Sequence, residues 1–365
     1  MEKQFDIVRL FREVVNPQKD EVITFLVDHP NDDVKSNAAW HERRKMAEEW
    51  HAGIVDLCRE IGAKLKPIVS FPATGANNAD LPDKGEADGK KVSIKKILKK
   101  TNVCFALTEY SATAPLTAFT RKYSRLRVAS LPGVNRGMEQ TGLAADYTQV
   151  AQMVRVLAAR LDRAESAHAV FSTGHECTFD LRFRKSDPDD GYLHADKRGI
   201  RVINLPSGEA CIVPYEGERP REPSRTAGQI PVQLTGDVAV LKVKANRIVG
   251  VEATSPAAHE LVQELMADRA RQNIAELGLG CNPLAVVSGN VLEDEKVGFH
   301  WAYGRSDHLG GVVGPEQFSD PEKVLHQDIV YARGCPITIS KLTLKYSDKT
   351  EETIIENGEY TVFDS

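Results

Sequence analysis

No stretch of this chain approaches the roughly 18 consecutive apolar residues of a membrane-spanning helix, so none is expected. No G-x-G-x-x-G or Walker sequence follows an apolar run, which leaves a nucleotide cofactor unsupported. Positive charge is not in excess. With 47 Lys and Arg against 52 Asp and Glu, the net charge is -5, and nucleic-acid binding has no electrostatic footprint. The six cysteines (Cys58, Cys104, Cys177, Cys211, Cys281, Cys335) are scattered without a C-x-x-C, the pattern of reduced thiols. Cys281 is read as a small core residue. Internal repeats and low-complexity tracts are missing too. The opening MEKQFDIVRLFREVV is charged and amphipathic and lacks the apolar core of a secretory signal, so a cytoplasmic location is expected.

What is present is ordinary soluble-protein material: 365 residues, 41% hydrophobic and 27% charged, enough for two domains or one large one. The first half alternates helical and extended patterns. Helices are predicted over 5–15, 37–61 and 147–161. Strands are predicted over 21–28, 65–71, 102–107, 126–131 and 167–171. The run EVITFLVD at 21–28 is apolar throughout and rich in β-branched residues, as a strand buried on both faces requires. This alternation argues for an open parallel sheet with flanking helices. The polar, Gly-rich 73–91 reads as a surface loop, and 131–142 as a strand-to-helix connection.

After about residue 172 helical patterns become scarce. Short strands are expected at 178–183, 201–204 and 210–213, a β-meander over 229–251, a helix over 256–270 and a closing hairpin or two in the tail. The expected organisation is therefore α/β: an N-terminal α/β domain (1–168) and a C-terminal, β-rich α+β metal-binding domain (169–365).

The chemistry concentrates between 273 and 331. Glu276 lies in AELGLGCNP, His300 in GFHWAYG, and His326 and Asp328 in VLHQDIV. Imidazoles and carboxylates are the ligands that borderline divalent metals prefer. On a strand, residues i and i+2 share a face, so the H-x-D pair can reach one ion. Acid/base candidates nearby are Glu295, Tyr303, Asp307 and His308. The acidic run LEDEK around Glu295 also reads as a solvated turn. His175 and His194 sit on polar, Gly-adjacent segments of the kind that line a site. Arg182, Arg184 and Arg305 could hold a substrate carboxylate in a bidentate fork or form structural salt bridges.

The series LPSGE, AELGLGCNP, LEDEKVGFHWAYG and LHQD resembles the aminopeptidase T and aminopeptidase S family of metallo-exopeptidases. The resemblance implies two divalent ions (Zn, Co or Mn) side by side. Their ligands would be Glu209, Glu276, His300, His326 and Asp328, Glu209 joining the set through LPSGE. It also implies a small-molecule or peptide substrate with a free amine, and a homo-oligomer, a dimer or larger. Two departures stand out. The family's catalytic Tyr lies in a longer loop after the first His, whereas here Asp307 and His308 stand near that place and Tyr303 comes earlier. The chain is also short, and it resembles the 2,5-dihydroxypyridine 5,6-dioxygenases as well. That likeness implies instead one Fe(II) held by His300, His326 and Asp328. Those dioxygenases carry a His at the place of Glu276 and lack the Glu at 209, so both glutamates favour the two-metal, hydrolytic expectation.

Overall fold

In the computed structural model, residues 5–196, 201–252 and 255–363 are described. The apolar run near the N-terminus forms the strand Val22–His29, buried along its central six residues. It pairs in parallel with Lys64–Leu65, Val69–Pro72 and Val103–Leu107. Arg127–Ser130 and Val202–Asn204 extend the sheet, again in parallel. Helices Ala38–Gly53, Val55–Ile61 and Tyr147–Leu161 follow the predicted pattern, and Thr113–Lys122 is a further helix that was not predicted. The long helix expected over 37–61 is broken at Ile54, and Pro67 falls in the gap between the two strands of 65–71.

Three expectations in this half are corrected. The strand expected at 167–171 is Ala164–Phe171, which pairs antiparallel with Glu176–Asp180 and Ile339–Tyr346 rather than joining the parallel sheet. Residues 73–91 are not all loop: Lys84–Ala87 and Lys90–Ser93 form an antiparallel hairpin. Its turn is Asp88-Gly89, both at positive φ, the turn chemistry that suits a right-twisted hairpin. The strand at 202–204 belongs to the parallel sheet rather than to the β-rich half.

The chain divides into two compact units. One comprises the described residues of Met1–Ala151, Asp189–Gly208 and Asn282–Val286. The other comprises those of Gln152–Pro188, Glu209–Cys281 and Val287–Ser365. The first unit's opening segment ends at Ala151, and two later segments return to that unit. The class is the expected one: a parallel-containing sheet with helices, then a β-rich region.

The second unit packs two sheets face to face. The larger is antiparallel and includes the meander Ala227–Leu234, Asp237–Lys244 and Arg247–Glu252, and the hairpin of Ile339–Tyr346 with Glu351–Glu356. The smaller carries Glu209–Ile212, Ile274–Gly280, Phe299–Gly304 and His326–Val330 in that order, all antiparallel, with His326–Val330 at its edge. Strand alternation sorts its residues by face. Leu277, Leu279, Phe299, Trp301 and Tyr303 fall on one face, all buried. Phe299 meets Phe171 and Phe179 of the larger sheet at ring-centroid distances of 6.1 and 6.3 Å. Trp301 donates its indole N–H to Tyr331 Oη (3.0 Å), which donates in turn to Pro231 O (2.7 Å). The other face is left for polar residues. Among the described residues no helix is long and apolar enough to cross a membrane.

Candidate metal centre

The register of the smaller sheet sets up the site. Glu276 pairs across to Ala302, and Ala302 to Asp328. Gly278 pairs with His300, Gly304 with His326, and Glu209 with Gly280. Glu209, Glu276, His300, His326 and Asp328 therefore share the face opposite the aromatic core. Their cross-strand neighbours on that face are mostly Gly or Ala, which leaves room between the functional side chains.

The small residues are required. A Cβ on Gly278 would fall 1.9 Å from His300 Nε2, and one on Gly280 would fall 2.2 Å from Glu295 O. The sequence ELGLG thus places a carboxylate and then clears two positions for a ring and a backbone turn.

Glu276 stands in the middle. Its Oε1 lies 3.4 Å from His300 Nε2 and its Oε2 3.0 Å from His326 Nε2. Glu209 Oε2 lies 3.3 Å from His300 Nε2, and Asp328 Oδ1 lies 3.4 Å from His326 Nε2. Two groups result, Glu209–Glu276–His300 and Glu276–His326–Asp328, each with candidate ligand atoms within 4.8 Å of one another. Glu276 belongs to both.

Both rings are oriented from behind. His300 Nδ1 donates to Gly298 O (3.2 Å) and His326 Nδ1 to Arg305 O (2.6 Å). Each bond holds Nε2 toward the carboxylates, the outer-shell arrangement typical of metal-binding histidines. His300 Nε2 and Glu209 Oε2 are buried and lack a well-aligned hydrogen-bond partner. Buried polar atoms are rarely left so. A divalent cation between them would satisfy both, so the donor set fits the metal that the motifs imply.

The electrostatics point the same way. Burial opposes charge on His300, but the Glu276 and Glu209 carboxylates outweigh it and push its pKa up to about 9. Burial likewise opposes charge on His326, and Asp328 and Glu276 raise it well above the usual value. Burial would raise Glu276, yet the two histidines hold it well below the normal carboxylate range. The cluster thus keeps Glu276 ionised and attracts cations, whether protons or metals.

Other sequence-predicted residues fall in different places. Glu295 is beside the centre: burial pushes its carboxyl up to about 8, with Lys296 opposing and Glu209 and Asp328 adding to the rise. The LEDEK segment is not a solvated turn. It forms the short helix Val291–Asp294, and Glu293, Asp294 and Lys296 are buried. His308 packs its ring edge-on against His326 with centroids 4.9 Å apart, and burial lowers its pKa.

Asp307 is engaged by Arg305 through two contacts of 2.5 and 3.2 Å, so that arginine's fork is already filled. Arg184 is likewise taken by Glu216 (3.0 Å) and Glu218 (2.5 Å), and Arg182 by Asp180 (2.8 Å). Tyr303 lies on the aromatic face and donates to Glu264 (2.9 Å), so parity turns it away from the ligands. His175 sits at the turn between Ala164–Phe171 and Glu176–Asp180 of the larger sheet, bonded to Thr173 (2.9 Å). His194 belongs to the first unit and contacts Glu13 O (2.8 Å).

Sequence reasoning missed two residues. Lys296 is fully buried, with its Nζ 2.5 Å from Glu209 Oε1 and 2.7 Å from Glu295 Oε1. A lysine four residues before His300, a candidate ligand, was the available signal. Cys211, two residues after Glu209, shares the ligand face. Burial, and next the Glu276 charge, push its thiol pKa well up.

No protein-family profile and no curated relative matches the sequence. Among solved structures, the chain is similar to a 2,5-dihydroxypyridine dioxygenase from Pseudomonas putida KT2440. The TM-score is 0.61 at 16% identity, over 98% of this chain and 97% of that one. It is also similar to AmpT from Thermus thermophilus, with a TM-score of 0.55 at 15% identity over 98% of both chains. The two likenesses are of fold, and they place the chain at a distance from both proteins.

Proposed function

We propose that this protein is a metal-dependent hydrolase of the aminopeptidase T-like kind, holding two divalent ions and cleaving an amide next to a free amine or a related small amide. One observation carries the reading: Glu276 directs one carboxylate oxygen to each of two histidine-carboxylate groups. That is the placement of a carboxylate shared between neighbouring ions. Ions held by these residues would supply a water of lowered pKa and a polarised carbonyl.

This chain's own residues do the rest. Gly298 O and Arg305 O fix the two ring tautomers. The aromatic face seals the sheet from behind. Glu295, whose carboxyl burial pushes up to about 8 in the metal-free protein, is an acid/base candidate near neutral pH, with Lys296 on its Oε1. His308, beside His326 and made less basic by burial, offers a second acid/base group next to the Glu276–His326–Asp328 group. Asp307 is less suited, since His308 and Arg305 outweigh burial and hold its carboxyl below the usual carboxylate range.

A second reading is a mononuclear Fe(II) ring-cleaving dioxygenase using His300, His326 and Asp328 as a facial triad. The fold likeness to the 2,5-dihydroxypyridine dioxygenase supports it. The position of Glu276 between the two histidines counts against it.

The distinguishing experiment combines elemental analysis with assays on aminoacyl amides and, under Fe(II), oxygen uptake with a dihydroxypyridine. The hydrolase reading expects two equivalents of Zn, Co or Mn, amide cleavage, and loss of turnover in His326→Ala. A single tightly bound iron with ring-dependent oxygen uptake would replace it with the second reading.

A further inference from the structure

The two groups around Glu276 are not equivalent, and the difference lies in one cation. Lys296 Nζ is fully buried and contacts both Glu209 Oε1 (2.5 Å) and Glu295 Oε1 (2.7 Å). Glu209 therefore turns only Oε2 toward His300, and that oxygen is the one left without a hydrogen bond. Among the described residues no lysine or arginine pairs with the carboxylates of the other group. Among the described residues, Glu276 and Asp328 make their ion pairs with histidines alone. The nearby Arg305 guanidinium is held by Asp307.

Resting on the two-ion reading above, we infer that Lys296 is a positioning residue that makes the Glu209–Glu276–His300 pocket the weaker of the two, so that the Glu276–His326–Asp328 pocket fills first. Three effects act in the same direction. The ammonium occupies Glu209 Oε1, so the carboxylate offers a metal one oxygen instead of two. A hydrogen bond donated to a carboxylate withdraws electron density from it and makes it a poorer donor. A fixed positive charge inside a buried site also repels an incoming dication, and burial leaves little water to screen it. The outcome is one ion held tightly at Glu276–His326–Asp328 beside an exchangeable one on the Glu209 side, recruited only when metal is plentiful.

The test is calorimetric titration of the metal-stripped full-length protein with Co²⁺. Wild type is expected to bind two equivalents, the second at least about tenfold weaker, and Asp328→Asn to lose the tight one. Lys296→Met should tighten the second equivalent by about tenfold or more, while Lys296→Arg leaves it weak, because the fixed charge dominates. Two equal equivalents in wild type, or a second equivalent loosened in Lys296→Met, would overturn the inference.

If Lys296→Met fails to fold, a crystal structure of wild type with limiting and then excess Co²⁺ decides. The first ion should lie at His326 and Asp328. The second should meet Glu209 through Oε2 alone, with Lys296 still on Oε1. An ion appearing first at Glu209, or held by both Glu209 oxygens, overturns the inference while leaving two-ion binding intact. Absence of any ion at either pocket removes the hydrolase reading and this inference together.

Discussion

Metal entry at His300 should expel a proton, and the size of that competition can be worked out. In the metal-free protein the ring's pKa is pushed up to about 9, so at pH 7 it is almost wholly imidazolium. A metal needs the neutral ring. Two pH units of protonation lower the apparent affinity about 100-fold, close to 3 kcal/mol, at neutral pH. Apparent affinity at this pocket should therefore rise about tenfold per pH unit from 7 toward 9 and flatten above it.

The His326 pocket should show the same sign, since that ring is raised as well. Calorimetry in buffers of different ionisation enthalpy measures the protons released and should find roughly one per histidine. Binding enthalpies independent of buffer, or affinities flat between pH 7 and 9, would refute the reasoning. The same shift bears on stability. A raised histidine pKa stabilises the fold fully below about 6.5 and loses that contribution as pH rises through about 9. The raised Glu295 pKa, about 8, acts in the same direction, its contribution falling from about 4.5 upward. The metal-free protein should lose Tm from pH 6.5 to 9, and saturating metal should remove that slope.

Other expectations follow from the packing. Gly278→Ala should displace His300, because the new Cβ would overlap Nε2, and metal analysis should show loss of the Glu209-side ion with the fold intact by circular dichroism. Tyr303→Phe should keep turnover within a fewfold of wild type, since its hydroxyl serves Glu264 on the opposite face. A rate loss of a thousandfold or more would return it to the mechanism. Phe299→Ala should cost about 3–5 kcal/mol in denaturant unfolding, because the ring is fully buried between the two sheets.

Much of this was legible in the residues, and what was not has physical causes. The H-x-D pair could be placed on a strand because its alternation and apolar flanks are local properties, and the strand is there. The run 21–28 read as a buried parallel strand for the same reason. The Asp88-Gly89 hairpin was missed because polar composition outweighed a two-residue turn signal. The return of 202–204 to the first sheet is a long-range pairing that no local pattern encodes. Lys296 in LEDEK looked solvated because a buried charge is stabilised by partners far away in sequence: Glu209 lies 87 residues earlier. Tyr303 illustrates the opposite case. Its nearness to His300 in sequence suggested a role, yet three residues along a strand reverse the face. The bidentate pairing of Arg305 with Asp307 and the burial of Arg184 against Glu216 likewise became visible only in three dimensions.

The central claim is that Glu209, Glu276, His300, His326 and Asp328 together hold two divalent ions that share Glu276. Elemental analysis of the purified wild type beside Glu276→Gln, after equilibration with Zn²⁺, Co²⁺ or Mn²⁺, tests it most directly. The account expects two equivalents per chain in wild type and one or fewer in the variant. A single equivalent in wild type that survives Glu276→Gln would contradict it.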